Sequence, residues 1–173
     1  MARRFRGEFQ QKVDTKGRVS IPHRFRRVIE AGDPDWTDGK RPNFIIVYGD
    51  HLRHHLECYT LRAADALEEQ ILDMPIGSED RAMLEEFVLG MSIETEIDDD
   101  GRIVLPQKQR SKIGLDDEAY FVARGDFFQI WNRATYDAEM APRKRAWLEQ
   151  KLEERGPHFD LKALLRNRQG PSE

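Results

Sequence analysis

The sequence predicts an α+β fold that uses one structural unit twice. The first observation is an internal repeat: residues 13–22 read VDTKGRVSIP and residues 97–106 read IDDDGRIVLP, with Asp, Gly, Arg and Pro at the same positions. The second is that each copy is followed by the same order of short helix, strand, Gly-Asp turn, strand and helix cap. The third is size, because 173 residues with 39% hydrophobic content suffice for one domain or two small ones. The repeat carries the most weight, because a duplication determines the fold.

The first copy begins with two short strands, expected over residues 8–13 and 18–21, which the pattern joins into a hairpin. Asp14 can bond the backbone of the turn through its side chain, and Gly17 accepts a positive φ at little cost. A short helix is expected over residues 23–30, with its apolar side chains directed toward a core.

The first copy continues with a loop and two strands, and two helices then connect it to the second copy. Glycines and prolines first place a loop over residues 31–42. Thr60 is suited to capping the first of the helices that follow. The elements expected here are two strands and then two helices, over residues 43–48, 56–59, 61–74 and 79–90.

The second copy repeats the order of the first and is followed by a helical tail. Its expected elements are two strands, a helix and two further strands, over residues 92–97, 102–105, 106–113, 119–124 and 127–131. Beyond Asn132 the pattern is helical to Arg155, and Pro142 predicts a break within that stretch. Leucines near residue 164 predict one more short helix.

Charge is distributed unevenly along the chain. The net charge is -4, yet residues 1–30 contain nine Lys or Arg and three acids, an excess of six positive charges. A local basic face indicates a polyanionic partner better than the total charge does, although acids close in space would make it an ordinary solvated surface. The single cysteine, Cys58, fits a reducing cytosol, and no apolar run resembles a signal peptide or a membrane span.

The basic residues of the first turn are the leading candidates for contacts with DNA. Lys16 and Arg18 lie on or beside the expected tip, where they could reach phosphates or, for arginine, the O6 and N7 edge of guanine. Arg102 is the equivalent of Arg18 in the second copy, whose turn is surrounded by acids and could be purely structural. Lys12 and Arg24 belong to the same basic segment and complete the candidate set.

The acidic and glycine positions of the two turns are expected to be structural. Asp14 could pair with the arginine across the turn and hold it, and Gly17 allows the chain to reverse direction. Asp98 and Gly101 repeat these roles in the second copy.

Metal sites and catalytic sites find little support in the sequence. The acidic run at residues 98–100 lacks the alternating ligands and the final glutamate of an EF-hand. His51, His54 and His55 lie near Cys58, but without a well-placed fourth ligand we expect solvent-exposed histidines. No nucleophile elbow, zinc-protease motif or phosphate-binding loop with correct spacing is present. We therefore expect no catalytic residues, no metal, no cofactor and no small-molecule ligand.

The sequence resembles the MraZ family of bacterial transcriptional regulators. The resemblance lies in FRGEF at residues 5–9, in DTKGRVSIP at residues 14–22 and in the second Asp-to-Arg motif at residues 98–102. It covers roughly residues 5–140. The loop at residues 32–42 and the tail are less typical of the family.

The resemblance implies a fold, a partner and an assembly. The fold would be two AbrB-like swapped-hairpin units fused in one chain, with flanking helices. The first AbrB-like unit, which would bind DNA, would occupy residues 5–60 and would be followed by connecting helices over residues 61–91. The second unit would occupy residues 92–140, and a helical extension would occupy residues 141–173. The protein would form a ring-shaped homo-oligomer and bind double-stranded promoter DNA at G-rich direct repeats.

Through the same resemblance we expect a cytoplasmic, nucleoid-associated regulator, usually a repressor, of the division and cell-wall gene cluster. The protein would contact the promoter repeats through the arginines at the tips of its two hairpin turns. The alternative is an AbrB-type oligomeric protein-interaction module that does not read a promoter directly. The sequence contains no group of residues that supports an enzyme to a comparable degree.

Overall fold

The computed structural model describes residues 3–49 and 53–166, and in them the protein is a mixed structure of helices and antiparallel strands. The predicted α+β class is therefore confirmed. The strands are β1 Glu8–Lys12, β2 Arg18–Ser20, β3 Asn43–Val47, β4 His55–Thr60, β5 Ser92–Glu96, β6 Arg102–Val104, β7 Glu118–Ala123 and β8 Phe127–Trp131. The helices are α1 His23–Ala31, α2 Leu61–Leu72, α3 Glu79–Leu84, α4 Gln107–Lys112, α5 Arg133–Arg155 and α6 Ala163–Arg166, with a π-helical segment at Glu85–Gly90.

The main sheet combines strands from both sequence repeats. Its order is β1-β7-β8-β4-β3-β5, and every neighbouring pair is antiparallel. The remaining strands, β2 and β6, form a separate two-stranded ribbon with Arg18 opposite Val104 and Ser20 opposite Arg102. The two repeats therefore contribute one strand each to the ribbon and three each to the main sheet.

The predicted local hairpin between the first two strands is wrong in its pairing. The turn lies where it was expected, but only Val13 and Val19 bridge across it. Beyond that bridge the strands diverge, because β1 pairs with β7 and β2 pairs with β6. In the second copy β5 and β6 diverge in the same way, because β5 pairs with β3 and β6 pairs with β2. Val19 and Ile103 lie opposite each other at the centre of the ribbon, where both are buried against the core.

The core is an aromatic cluster between α1 and the main sheet. Phe25, Val28 and Ile29 recur at helical spacing and are buried, so they form the inner face of α1. The Phe25 ring lies 5.2 Å from Phe5 and 4.9 Å from Phe128, measured between centroids. Burying a side chain of this size contributes about 1.5–3 kcal/mol, so the cluster fixes α1 on the sheet.

Two helix predictions required correction. The stretch predicted as one helix over residues 79–90 is α3 followed by the π-helical segment. The break predicted at Pro142 is absent, because α5 continues through it. Proline removes only one donor from the helix, and here the neighbouring side chains are exposed, so water can reach the carbonyl left without a partner.

The chain divides into two compact units between Arg133 and Ala134. The strands, the ribbon and the two repeated turns all belong to the first unit, and most of α5 together with α6 belongs to the second. In the part of the chain that the structure describes, no helix has both the length and the apolar character needed to cross a bilayer.

Candidate nucleic-acid interface

Asp14 organises the first turn. One of its carboxylate oxygens, Oδ1, accepts hydrogen bonds from the backbone N–H of Lys16 at 3.0 Å and of Arg18 at 2.9 Å. The other, Oδ2, accepts from Nε of the Arg18 side chain at 2.6 Å. The Arg18 backbone amide and then its guanidinium hold the pKa of Asp14 below its ordinary value. A negative carboxylate thus orients Arg18 at a turn of fixed shape.

Asp98 builds the second turn by the same bonds. Its Oδ1 accepts from the backbone N–H of Asp100 and of Arg102, both at 2.9 Å. Arg102 Nε is more distant from Asp98 Oδ2, at 3.8 Å, and Arg102 Nη2 instead pairs with Asp100 Oδ2 at 3.0 Å. The backbone of the two turns is therefore alike, whereas the second arginine is held by a carboxylate that replaces Lys16 of the first turn.

The two turns interlock through their glycines. Gly17 and Gly101 have φ angles of +82° and +76°, in the left-handed region that glycine adopts without strain. The carbonyl of Gly17 accepts from Leu105 N–H at 2.8 Å, and the carbonyl of Gly101 accepts from Ile21 N–H at 2.9 Å. Each turn is thus bonded to the strand end of the other copy, which places the two Asp-to-Arg motifs side by side.

Two arginines that sequence reasoning missed support this arrangement. Arg110 lies beside Gly17, and its Nε donates to the Leu105 carbonyl at 2.9 Å. Arg26 lies beside Gly101 in the second turn, without the corresponding hydrogen bond from its Nε to any described residue. Both arginines follow the last proline of their repeat motif by four residues, so extending the alignment of the copies past that proline would have found them.

The solvent-facing side of the ribbon unites part of the predicted set. Alternation along β2 and β6 directs Val19 and Ile103 inward, leaving Arg18 and Arg102 on the opposite face. A shallow groove of about 410 Å³ lies beside them. Its lining residues are Lys12, Val13, Asp14, Arg18, Ser20, Arg102, Asp117 and Glu118.

The groove includes only some of the predicted basic residues. It brings Lys12, Arg18 and Arg102 together, with carboxylates among them. Lys16 is exposed at the tip of the first turn, and Arg24 is exposed on the first turn of α1, but neither is among the residues that line the groove. Arginine and lysine at such positions can donate hydrogen bonds to an anion or to base edges, and the acids restrict which anion can approach.

Arg41 neutralises much of the acid beside the second turn. Its Nε and Nη2 donate to the two carboxylate oxygens of Asp99 at 3.0 and 2.9 Å, and its Nη1 donates to Glu96 at 3.1 Å. The Arg41 guanidinium lowers the pKa of Asp99, and the hydrogen bonds that Arg41 donates to Asp99 and Glu96 raise its own pKa. Arg41 lies more than fifty residues from both acids in sequence, so a count of the charges near the second turn could not reveal that it neutralises them.

The expectation that the histidines are solvent-exposed is wrong for His55. His55 is buried opposite Trp131 on the neighbouring strand, with its ring centroid 4.5 Å from that of Trp131. Its Nε2 is 3.2 Å from the Gln129 amide nitrogen. His54 is exposed as expected, whereas His51 lies outside the described residues.

Cys58 is fully buried in β4, and burial raises the pKa of its thiol. A thiol in this position is a core side chain. Within residues 3–49 and 53–166, no three His, Cys, Asp or Glu side chains are placed to share a metal ion.

Comparisons with known proteins identify the family. The family model described as "MraZ protein, putative antitoxin-like" matches residues 4–86 and 89–155. A protein of Ruegeria pomeroyi named transcriptional regulator MraZ is 55% identical over 157 residues, covering 91% of this chain and 94% of that protein. Proteins of the same name are 46% identical in Cereibacter sphaeroides, covering 95% and 97% of the two chains, and 38% identical in Parvibaculum lavamentivorans, covering 78% and 79%. The resemblance inferred from the two turns is confirmed, and the chain belongs to the MraZ family.

Proposed function

We propose that this protein is a sequence-specific DNA-binding transcriptional regulator, acting as a repressor at G-rich direct repeats in a promoter. The observation that carries the proposal is the pair of Asp-anchored arginines, Arg18 and Arg102, on one exposed face of the ribbon. The relatives named transcriptional regulators agree with this class of function. Through the family resemblance, the regulated genes would be the division and cell-wall cluster.

Arg18 is the better placed of the two arginines to read a base. Its Nε is occupied by Asp14, and among the described residues no hydrogen bond engages either Nη atom. An arginine fixed in this way can donate from both Nη atoms to O6 and N7 of guanine with little loss of side-chain entropy. Arg102 would first have to release Asp100, which is an exposed pair worth little in water.

Phosphate contacts would come from the basic side chains around this face. Three exposed side chains of the basic segment at residues 1–30 could make these contacts: Lys16 at the tip, Lys12 at the groove and Arg24 on α1. Contacts of this kind position a protein on the duplex without reading sequence. Because acids also line the groove, we expect the phosphates of a DNA partner to approach the basic side chains around the groove and not the groove itself.

The larger organisation is part of the same proposal. The chain would contain an AbrB-like first unit at residues 5–60, connecting helices at 61–91, a second unit at 92–140 and an extension at 141–173. The interlocked glycine turns support a swapped arrangement of the two units. The protein would assemble into a ring of identical chains and act in the cytoplasm on the nucleoid.

The decisive experiment measures binding to DNA upstream of the protein's own gene by fluorescence anisotropy over a series of salt concentrations. Arg18→Ala is expected to weaken binding by roughly 5- to 150-fold at the repeat sequence and to reduce the preference for guanine. Lys16→Ala should weaken repeat and unrelated DNA alike and lower the salt dependence. Arg145→Ala, the same loss of charge on an exposed face of α5, is the control. Unchanged binding by the Arg18→Ala, Lys16→Ala double variant would refute the proposal.

A protein-interaction module is the second candidate function. Large apolar side chains are exposed on the connecting helices, among them Leu72, Met83 and Leu84. Binding through such a surface would tolerate salt, whereas binding to DNA falls steeply with it. The same salt series, applied to any complex that the protein forms, therefore separates the two functions.

A further inference from the structure

A second surface feature of the first compact unit lies at the start of α2. It is a cleft of about 790 Å³ whose floor includes Val28 and Ala31 of α1 and Ala63, Ala66 and Leu67 of α2. Its rim carries Arg3, Arg4, Arg62 and Arg124, with Asp126 as the one acid among the lining residues. Floor and rim name the apolar and the charged lining residues of the cleft, which therefore offers both kinds of surface to an occupant.

Backbone contacts build this cleft in advance of any ligand. The end of α1 and the start of α2 meet so closely that a Cβ on Gly32 would lie 2.4 Å from that of Thr60. The backbone N–H of Arg62 donates to the Gly32 carbonyl at 3.0 Å. On another side, the rings of Tyr59 and Phe127 stack with their centroids 5.1 Å apart. The shape is thus set by packed elements and not by loose side chains.

The positive charge of the rim is only partly satisfied within the chain. Arg4 pairs with Asp126 at 2.9 Å, and Arg124 Nε donates to Gln129. Among the described residues, Arg3 and Arg62 form no ion pair with a carboxylate. The cleft consequently favours an occupant that is apolar at its tip and acidic on its flanks.

One segment of the same chain has this composition. We call residues 73–86 the acidic connector: five acids and one arginine lie in it, and that arginine, Arg81, already pairs with Glu85 at 2.6 Å. At its turn Ile76 is 91% exposed, between Asp73 on one side and Glu79 and Asp80 on the other. A nearly fully exposed isoleucine at the tip of an acidic turn is a hydrophobic knob that the chain itself leaves uncovered.

We propose that the acidic connector of one copy of this chain docks into the basic-rimmed cleft of the next copy, with Ile76 entering the apolar floor. The inference rests on the homo-oligomer of the proposed function and names its contact surfaces. A knob and a cleft at different places on one molecule make a heterologous contact, which generates a ring if the rotation closes. Charge complementarity between the connector acids and the rim arginines selects this occupant over an uncharged one.

The test introduces one carboxylate into each surface and measures mass by light scattering after gel filtration, without DNA. Ala66→Glu places the charge on the exposed cleft side of α2, and Ile76→Glu places it on the knob. Each should reduce the assembly to single chains of 20.3 kDa at concentrations where the wild-type protein is a larger oligomer. Leu161→Glu makes the same change at a 57% exposed leucine outside both surfaces and should keep the wild-type mass.

Mixing the two single variants distinguishes this contact from general destabilisation. The Ala66→Glu chain retains an intact knob and the Ile76→Glu chain retains an intact cleft, so together they should form a complex of two chains and stop there. Wild-type protein that is a single chain at micromolar concentration, either variant retaining the full oligomer, or a mixture that stays monomeric would overturn the inference. Loss of DNA binding is measured separately with Arg18→Ala, so failure of the DNA-binding part of the proposed function leaves this outcome unaffected.

Discussion

Asp14 and Asp98 shape the two turns through their backbone bonds, but only Arg18 has its side chain hydrogen-bonded to the aspartate of its turn. Each carboxylate accepts two backbone hydrogen bonds from the residues that follow it, and that geometry is the same in both copies. The arginine side chains differ, because Arg18 is bonded to its aspartate at 2.6 Å while Arg102 bonds to Asp100. The repeated aspartate thus explains the common fold of the turns, and the different residues at positions 16 and 100 explain why the two arginine side chains are held differently.

Alanine at the turn glycines is expected to destabilise the protein in a defined order. Gly17→Ala places a Cβ 2.5 Å from the Leu105 carbonyl oxygen, which is backbone and cannot move away. Gly101→Ala first meets the guanidinium end of the Arg26 side chain and not a backbone atom, and Gly39→Ala meets no atom within 4 Å, although all three have a positive φ. The left-handed conformation alone costs about 1–3 kcal/mol. Urea unfolding should therefore rank the losses in unfolding free energy as Gly17, Gly101 and Gly39, and an equal loss for Gly39 and Gly17 would contradict the steric argument.

The first turn should loosen in acid below the ordinary titration range of aspartate. Hydrogen bonds from Arg18 to the ionised form lower the pKa of Asp14 from 3.8. A lowered folded-state pKa means that this stabilisation is complete above 3.8 and is lost as the pH falls through the lowered value. The Arg18 amide chemical shift should titrate with a midpoint below 3.8, and Asp14→Asn should abolish that titration. A midpoint at or above 3.8 would show that the turn does not favour the carboxylate.

At the scale of elements, the positions of strands could be predicted but their partners could not. Alternating exposure along β1 indicates which face is buried, yet the same alternation suits any neighbour. Proximity in sequence favoured a hairpin with β2, whereas β1 gains a five-residue ladder by pairing with β7 across the sheet. Pairing of this kind depends on the whole sheet, so a local pattern cannot specify it.

The candidate site shows the same division between local and distant information. The Asp, Gly and Arg positions of both turns were found from the repeat, and the bonds by which each Asp shapes its turn join residues at most four apart. Arg41 was missed because its partners lie 55 and 58 residues away. His55 was predicted to be exposed because the sequence offers no well-placed fourth metal ligand near it, while its burial comes from Trp131 on the adjacent strand.

The loop that carries Arg41 is expected to support DNA binding without touching a base. Arg41→Ala would leave the carboxylates of Asp99 and Glu96 uncompensated beside the second turn. Repulsion between these exposed charges and DNA phosphates should weaken binding by roughly 2- to 5-fold at low salt. Asp99→Asn in the same chain should restore most of the affinity, measured by anisotropy at about 50 mM salt, which is a low-screening condition. A double variant as weak as Arg41→Ala alone would show that the arginine acts in another way.

On the scale of the whole molecule, the net charge and the site charge point in opposite directions. The chain totals -4, while its first thirty residues carry an excess of six positive charges. Because β2 and β6 come from different repeats, folding brings the basic first turn beside the second turn on one ribbon face. Many copies of that face in one assembly would hold DNA through short-range contacts even though the protein as a whole is acidic.

Assembly through the acidic connector should therefore govern affinity for repeated sites. A ring of copies would present several ribbon faces, and once one is bound the next would meet its repeat at an effective concentration in the millimolar range. For wild-type protein, three repeats in place of one should tighten binding by roughly 100-fold or more, and the gain should depend on repeat spacing. Ala66→Glu is expected to keep the single-repeat affinity, because Ala66 is not among the residues that line the groove beside the ribbon, and to lose the gain from added repeats. Anisotropy on DNA with one, two and three repeats measures both quantities. If the Ala66→Glu protein retained the full gain, the higher affinity for several repeats would not depend on assembly through the cleft.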